Sequence, residues 1–522
     1  MRLGVAAALL ALLAVVPRPA LAQIAVTNLL EAQNGNRPFN PFDPQPENRI
    51  DVYDQLNLDY LFGAGRVGAR FETNQNSQDE NAYEMFTQRY AEWSDERVRV
   101  RVGNFYTILG SGLLHRSFEL PGVVLDDLGT RTRYAPSRDV DGVLAEGTAG
   151  PVAARLFAGS PSSGDRSPAT EEVFDQPLHQ GQLGGGQLTL GGWRGARVGA
   201  AYLRASQSIA PGASRQDEFG SGFLELDPLR LAGIQGANAP IYVEYARQDA
   251  TAGEWFDFET GDDVPHALYA GANALWGTLT LSAEWKDYRD FRLGTNDPPS
   301  LVREHPWALL NRNTHVLNAA DEEGFQLEGA WTLPGRGTVT LNRSRADGVF
   351  GLQARRFDEF YAELHVDPLG AWRWEPTAFY DTGKDEFQFV EARDVYGGAL
   401  TVMPFDPFSM TIDFETQEAE RVGEEPFDDQ YLSVSIARAG WGSVGVVWER
   451  STDPAQEDFD DLAIPGVQPR TWLAGVLSAR LSDHHEATLF AGERRGGPAC
   501  TAGTCYEVQP FVGVEMRLLS RF

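Results

Sequence analysis

The fold is decided by the last fifteen residues of the chain, Val508-Gln-Pro-Phe-Val-Gly-Val-Glu-Met-Arg-Leu-Leu-Ser-Arg-Phe522. Counted in twos from the last residue, one set of side chains is mostly apolar and the alternate set carries the charge. Because successive side chains of a β-strand point to opposite faces, this alternation predicts a strand with one apolar and one polar face. The first set is Val512, Val514, Met516, Leu518, Ser520 and Phe522, and the second is Phe511, Gly513, Glu515, Arg517, Leu519 and Arg521.

This terminal strand resembles the closing strand of bacterial outer-membrane β-barrels, which ends on an aromatic residue. The resemblance implies that Phe522 is an assembly signal for the barrel-assembly machinery. It also implies a location in the bacterial outer membrane, with the C-terminus in the periplasm and with lipid and lipopolysaccharide as surroundings.

The first 22 residues predict a secretory signal peptide. Arg2 precedes an apolar run over residues 3–16, and Ala20 and Ala22 are the small residues before a cleavage point. The run is shorter than the roughly 20 residues that span a bilayer, which disfavours a membrane-anchoring helix. The expected mature chain is a single barrel domain over residues 23–522, outside the cytoplasm.

The composition allows a transmembrane barrel and disfavours nucleic acid as a partner. The mean hydropathy is −0.33, but only alternate residues of a barrel strand meet lipid, so each span looks half polar. The formal net charge is −30, whereas a nucleic-acid partner would require a basic surface. The negative charge fits acidic surface loops.

Three acidic clusters in expected loops could bind divalent cations through their carboxylates. None follows an EF-hand pattern, so the sequence favours solvated charge, or bridging to lipopolysaccharide through divalent ions. The clusters are Gly261-Asp262-Asp263, Glu424-Glu425 with Asp428-Asp429, and Glu457-Asp458 with Asp460-Asp461.

Alternating segments of about ten residues recur along the chain and predict an all-β fold. Short turns alternate strictly with long polar connections, a pattern typical of an up-and-down antiparallel transmembrane β-barrel. If the last strand ends in the periplasm, an outward strand over Ile24–Gln33 must precede the inward strand Ile50–Phe62. The count is about 24 strands, within a range of roughly 22 to 26, with both termini periplasmic. Two stretches, 107–140 and 229–240, are ambiguous.

Six tryptophans lie beside the predicted periplasmic turns, where an interfacial aromatic belt would place them. Buried core tryptophans would have no reason to cluster at turns. The six are Trp93, Trp193, Trp276, Trp331, Trp372 and Trp441.

The polar strand faces are expected to line the lumen, since the apolar faces meet lipid. Both signs of charge occur there, which allows either a wet path for ions and polar solutes or cross-strand pairs that only keep the lumen hydrated. Three successive inward arginines on one strand would concentrate positive charge on one wall. The expected lumen-lining residues are Arg70, Arg97, Arg99, Arg101, Glu284, Glu328, Glu363, Arg373, Glu375, Asp413 and Glu415.

The segment 107–140 is too apolar for an ordinary surface loop and is the candidate for an inward-folded constriction. The alternative is a strand that extends beyond the membrane. The expected constriction residues are Leu109, Gly110, Ser111, Gly112, His115 and Arg116.

The run Gly103-Asn-Phe-Tyr106, followed by Gly110-Ser-Gly-Leu113, resembles a branch of outer-membrane barrel proteins of unknown function. The likeness covers Asp51–Glu119. It implies the barrel fold and no activity.

A later connection, Asp290–Glu323, is expected to be a surface loop, and a short helix acting as a lid is the alternative.

No enzyme motif fits the predicted fold. Gly63-Ala-Gly-Arg-Val-Gly68 matches GxGxxG, but a strand follows it where a dinucleotide site requires a helix. The eight histidines lack HExxH spacing, so no catalytic residue, cofactor or metal site is expected. Cys500 and Cys505 predict a small disulfide loop in an oxidising compartment, with two free thiols as the alternative.

The sequence therefore predicts an outer-membrane channel for the passive passage of ions or small polar solutes. Its lumen would be narrowed by the segment 107–140. Two alternatives remain open: a barrel filled by a partner in a secretion or surface-assembly system, and a structural or adhesive surface protein.

Overall fold

In the computed structural model, 24 strands among the described residues form an antiparallel sheet that closes into a barrel. The predicted fold class and strand number are confirmed. The predicted signal peptide lies outside the described residues. The structure describes residues 23–37, 47–77, 81–127, 129–164, 166–174, 177–193, 195–210, 213–234, 237–249, 264–291, 294–317, 321–350, 353–454, 470–501 and 504–522.

The barrel strands follow one another around the wall in chain order. They are β1 (Gln23–Arg37), β2 (Glu47–Phe62), β3 (Gly65–Asn76), β4 (Tyr83–Ser94), β5 (Val98–Phe105), β6 (Val140–Ala149), β7 (Val152–Pro161), β8 (Gln182–Trp193), β9 (Ala196–Ala210), β10 (Ala213–Leu226), β11 (Ile241–Asp249), β12 (His266–Trp276), β13 (Leu279–Arg289), β14 (Asp321–Leu333), β15 (Gly337–Phe350), β16 (Gln353–Val366), β17 (Glu375–Asp385), β18 (Val390–Phe405), β19 (Phe408–Arg421), β20 (Phe427–Arg438), β21 (Gly442–Ser451), β22 (Arg470–Arg480), β23 (His485–Arg494) and β24 (Phe511–Arg521).

The first and last strands pair and close the barrel. Thr27 to Asn36 of β1 run antiparallel to Val512 to Arg521 of β24. Two backbone hydrogen bonds join Val26 and Phe522, at 2.9 and 3.0 Å. The start of β1 and the end of β24 therefore lie at one end of the barrel, here named the turn end. The opposite end is named the loop end.

The six tryptophans of the predicted belt lie at the turn end and are 40–79% exposed.

The alternation of short and long connections is not strict. At the turn end, residues 227–240 form a long connection with a short helix capped by Asp227. At the loop end, β19 and β20 leave only residues 422–426 between them, so the connection that carries Glu424 and Glu425 is short.

Large apolar side chains point outward along the wall, and polar side chains point inward. In β24, Val514 and Met516 are 46% and 42% exposed. The intervening Glu515 and Arg517 form ion pairs inside the barrel. The predicted period of two is confirmed in this strand, and the outer surface is an apolar band.

Helices are short and lie between the strands. None among the described residues is long and apolar enough to cross a membrane. They are α1 (Ala169–Phe174), α2 (Pro228–Leu231), α3 (Ala308–Asn311) and a 3-10 turn (Glu386–Gln388).

Two connections from the loop end fold into the lumen. The first inward segment, residues 106–139, contains three small strand pairs, and the second inward segment, residues 294–317, contains α3. A third connection forms the disulfide hairpin. The short pairs are Ile108–Leu109 with His115–Arg116, Phe118–Glu119 with Ser137–Arg138, Leu125–Asp127 with Thr132–Tyr134, and, in the disulfide hairpin, Gly497–Thr501 with Thr504–Val508.

Each inward segment packs an apolar cluster against the inner wall. Leu109, Leu113 and Leu114 of the first segment are fully buried with wall residues that include Leu203 and Phe219. In the second segment, the cluster joins Trp307, Leu309 and Leu310 to Tyr361, Phe379 and Val395. The prediction of a surface loop over 290–323 is wrong for the described part, 294–317.

Candidate functional site

A glycine-rich turn anchors the first inward segment to two wall strands. The backbone N–H of Gly110 donates to Oε1 of Gln187 in β8 at 2.8 Å. The N–H and the hydroxyl of Ser111 both donate to Oε2 of Glu244 in β11 at 2.7 Å. Gly110 has a φ of +58°, and a Cβ there would lie 2.1 Å from Glu244 Oε1. Glycine is therefore required at this close approach.

His115 belongs to the buried interior of the first inward segment. Its Nε2 lies 3.0 Å from the Ser117 hydroxyl, and its ring lies 5.4 Å from that of Phe157. Burial, with a smaller effect of the Arg138 charge, lowers the pKa of His115 to about 3. The imidazole is neutral at physiological pH, so His115 is a packing residue without charge.

The two inward segments meet inside the barrel. Arg116 Nη1 lies 2.9 Å from Asp297 Oδ2, and the N–H of Asp297 donates to the Gly112 carbonyl at 3.4 Å. Arg138 donates to the Asn296 carbonyl at 3.1 Å, and the Asn296 amide donates to the Leu113 carbonyl at 3.1 Å. These contacts form a joint between the segments, named here the Arg116–Asp297 joint.

The tip of the first inward segment binds the wall where the barrel closes. Arg133 Nη1 lies 3.0 Å from Glu31 Oε2 of β1, and its Nη2 lies 3.5 Å from Glu515 Oε2 of β24. Arg70, a predicted lumen residue, pairs with Glu119 of the same segment. The segment thus spans the lumen from β11 to the closing strands.

The second inward segment is held by carboxylates of two wall strands, β19 and β21. Glu415 accepts the N–H groups of Ala308 and Leu309, each at 2.8 Å, at the start of α3. A carboxylate at this position complements the helix dipole and satisfies two otherwise unpaired donors. Arg312 makes a bidentate ion pair with Glu449, at 2.6 and 3.0 Å.

The disulfide between Cys500 and Cys505 is confirmed. The N–H of Cys500 donates to the side-chain oxygen of Asn311 at 2.9 Å, so the disulfide hairpin rests on α3. Between the hairpin and the inward segments lies a cavity of 460 Å³, lined in part by Arg138, Asp297 and Cys505.

Glutamates pair with the two arginines of the predicted wall that lie in β5. Arg99 lies 2.9 Å from both Glu92 and Glu146, and Arg101 lies 3.4 Å from Glu92. Arg97 lies in the exposed turn before β5 and not on the wall. Arg373 is exposed in the turn 367–374, so its assignment to the lumen wall is also wrong.

The predicted wall carboxylates lie in strands and are bound by neighbours. Sequence reasoning missed Glu31, Glu244 and Glu449, although each stands on the polar face of an alternating strand. The partners are Tyr269 for Glu284, Arg303 and Asn342 for Glu328, Tyr361 for Glu363, His365 for Glu375, Ser433 for Asp413, and Ala308 and Leu309 for Glu415.

Residues 26–142 match a family described as "Family of unknown function (DUF6029)". The matched range contains the stretch 51–119, whose sequence resembles outer-membrane barrel proteins of unknown function. No curated protein matches the chain.

Several solved structures are similar in fold. The P pilus usher (PapC) translocation pore has a TM-score of 0.47 at 10% identity, covering 96% of this chain and 99% of its own. OccK5 (OpdH) from Pseudomonas aeruginosa has a TM-score of 0.39 at 13% identity, covering 75% and 97%. The siderophore receptor PirA from Pseudomonas aeruginosa has a TM-score of 0.42 at 10% identity, covering 97% and 81%. Likenesses this low support no inference about activity.

Proposed function

We propose that the chain is a bacterial outer-membrane channel for ions or small polar solutes, narrowed by its two inward segments. The observation that carries this proposal is the Arg116–Asp297 joint, which connects the two segments inside a closed barrel. The outward apolar band and the tryptophans at the turn end support a position in a bilayer.

The joint determines how much of the lumen is free. Asp297 is largely buried, and burial raises its pKa, while the charges of Arg116 and Arg138 act in the opposite direction. Because both arginines belong to the first segment and Asp297 to the second, removing the Asp297 charge loosens the segments from each other without touching their anchors on the wall.

The test is single-channel conductance of residues 23–522 in a planar bilayer, for the wild type and for Asp297→Asn. We expect larger or longer openings in the variant. The matched control is Arg289→Ala, which removes exposed ion pairs with Asp287 and Asp321 at the loop end of β13. Its conductance should equal that of the wild type.

Two results would favour the alternatives. Folded protein that never conducts in either form favours a structural or adhesive surface protein. A protein that conducts only after removal of a copurified chain favours a partner-filled barrel of a secretion or surface-assembly system.

A further inference from the structure

A buried cluster connects the second inward segment to two neighbouring wall strands. His305 lies in the segment, Glu359 in β16 and Asp381 in β17. Their side chains are 1%, 2% and 0% exposed. One ligand atom from each residue lies within 4.8 Å of the other two. Three metal-ligating groups thus face one another in the interior of the barrel.

Several polar atoms in this cluster have no hydrogen-bond partner within the described part of the chain. They are Nδ1 and Nε2 of His305, Oε2 of Glu359 and Oδ2 of Asp381. Buried polar groups in native proteins are nearly always satisfied, so exceptions require an explanation. The four exceptions belong to three residues whose ligand atoms lie within 4.8 Å of one another, and the nearest two, His305 Nε2 and Glu359 Oε2, are 3.5 Å apart. A single common partner could therefore satisfy one atom of each residue.

Arg393, in β18, holds the two carboxylates from the other side. Its Nη2 donates to Glu359 Oε1 and to Asp381 Oδ1, each at 2.7 Å. One oxygen of each carboxylate is thereby occupied, and the other stays available. Hydrogen bonds of this kind orient metal ligands from outside the coordination shell. With a neutral imidazole, two carboxylates and one guanidinium leave a net negative charge, which a divalent cation would offset.

We propose that His305, Glu359 and Asp381 bind a divalent transition-metal ion, for which Zn²⁺ is the best match. Zinc binds imidazole nitrogen and carboxylate oxygen at about 2.0–2.2 Å, so tetrahedral ligand atoms lie roughly 3.3 Å apart. His305 Nε2 and Glu359 Oε2 are 3.5 Å apart. Calcium and magnesium prefer six or more oxygen ligands, whereas imidazole favours zinc and its neighbours. Water would complete the coordination.

The metal would fasten the second inward segment to the wall. The His305 ring lies 4.6 Å from the Tyr361 ring, and Trp307 stacks on Phe379 at 4.3 Å. These aromatic rings exclude water from one side of the cluster, and a low-dielectric surrounding strengthens ligand–cation attraction. The metal would therefore link the second inward segment, through His305, to two strands of the barrel wall, through Glu359 and Asp381.

The test is zinc content and affinity of the full mature chain in detergent, with folding monitored by heat-modifiable gel mobility. We expect one tightly bound Zn²⁺ per chain by elemental analysis after dialysis. His305→Gln and Asp381→Asn each remove a proposed ligand and should weaken binding at least as much as the loss of an outer-shell partner, which costs about 10–100-fold. The matched control is His365→Gln, since His365 and its neighbour Glu375 lie on β16 and β17, like the proposed carboxylates, but partly exposed. Its zinc affinity should equal that of the wild type.

Substitution with Co²⁺ gives a readout that requires no variant. A tetrahedral nitrogen–oxygen site produces visible absorption bands, which should saturate at one equivalent in the wild type and disappear on addition of Zn²⁺. A folded wild type with no stoichiometric metal, or with metal binding unchanged in both variants, overturns the proposal.

Discussion

Arg133 lies 3.0 Å from Glu31 where the first and last strands of the barrel meet. Both side chains are buried, and Arg133 also reaches Glu515 on the last strand. A residue of the first inward segment thus neutralises carboxylates on both closing strands. The first inward segment is therefore also part of the closure of the barrel.

Arg133→Met should destabilise the barrel by about 3 kcal/mol, the lower end of the range for breaking a buried ion pair. It removes the cation shared by Glu31, Asp126 and Glu515, while Arg517 still pairs with Glu31 and Arg494 with Glu515. The measurement is urea unfolding in detergent, followed by heat-modifiable gel mobility. Arg197→Ala, which removes an exposed ion pair with Glu225 at the turn end, is the control and should have little effect. Equal unfolding midpoints for Arg133→Met and the wild type would contradict the role of Arg133 in closure.

The free energy of unfolding should fall at alkaline pH, because His315 loses its proton there. Its ring lies 2.8 Å from Asp385 and 3.3 Å from Glu322, and Glu322 also pairs with Lys286. Burial favours the neutral ring, but the hydrogen bonds and charges of Asp385 and Glu322 outweigh it and raise the pKa of His315 to about 9. Because folding raises this pKa, the protonated His315 ring stabilises the folded state. Its contribution to the free energy of unfolding is fully present below about pH 6.5 and is lost as the pH rises through about 9.

The contribution of His315 across that window is about 3 kcal/mol. The measurement is the unfolding free energy of the wild type and His315→Gln at several values between pH 6 and pH 10. The difference between them should shrink as pH rises. A difference that stays constant would mean that the His315 ring is neutral throughout.

Breaking the disulfide should loosen the hairpin and leave the barrel folded. Cys500→Ser with Cys505→Ser opens a small loop whose closure contributes about 2 kcal/mol. The hairpin contacts α3 through Cys500 and Asn311, so its release should expose residues 495–510 to protease. Limited proteolysis with mass spectrometry measures this. Cleavage first within the barrel strands would contradict a local effect.

Trp307→Ala should release the second inward segment from the wall. The indole stacks on Phe379 and donates to the Tyr361 hydroxyl at 2.8 Å. Loss of a buried tryptophan costs about 3–5 kcal/mol. Hydrogen exchange should rise in residues 294–317 and stay unchanged in β24. A uniform rise over all strands would show that the segment is required for the whole barrel.

The barrel could be predicted from the sequence because a period of two and a lipid-facing surface fix most strands independently of one another. The terminal strand follows from that local pattern. The strand β1 follows from parity, because an outward strand must precede Ile50–Phe62, and the tryptophan belt follows from the predicted turns. The predictions for Arg97 and Arg373 are wrong because the alternation of polar and apolar residues does not mark where a strand begins. The position of the backbone turn decides whether a residue belongs to the barrel wall.

The interior could be predicted only in part. The apolar run after β5 indicated an inward segment, but its partners, such as Glu244 and Glu31, stand more than a hundred residues away or across the closing seam. The second inward segment has a polar sequence around its short apolar run, Trp307 to Leu310. Its sequence therefore predicts a surface loop. Its anchors Glu415 and Glu449 stand more than a hundred residues further along the chain, so no local pattern indicates them.

The most direct test of the account is single-channel conductance of residues 23–522 beside a variant lacking residues 109–138. In the variant, water can reach Glu31 and Glu515, and gel mobility shows whether the barrel is folded. We expect small or rare conductance steps in the wild type and conductance steps several-fold larger in the variant. Equal conductance in both, or silence from a folded variant, would contradict a lumen narrowed by the inward segments.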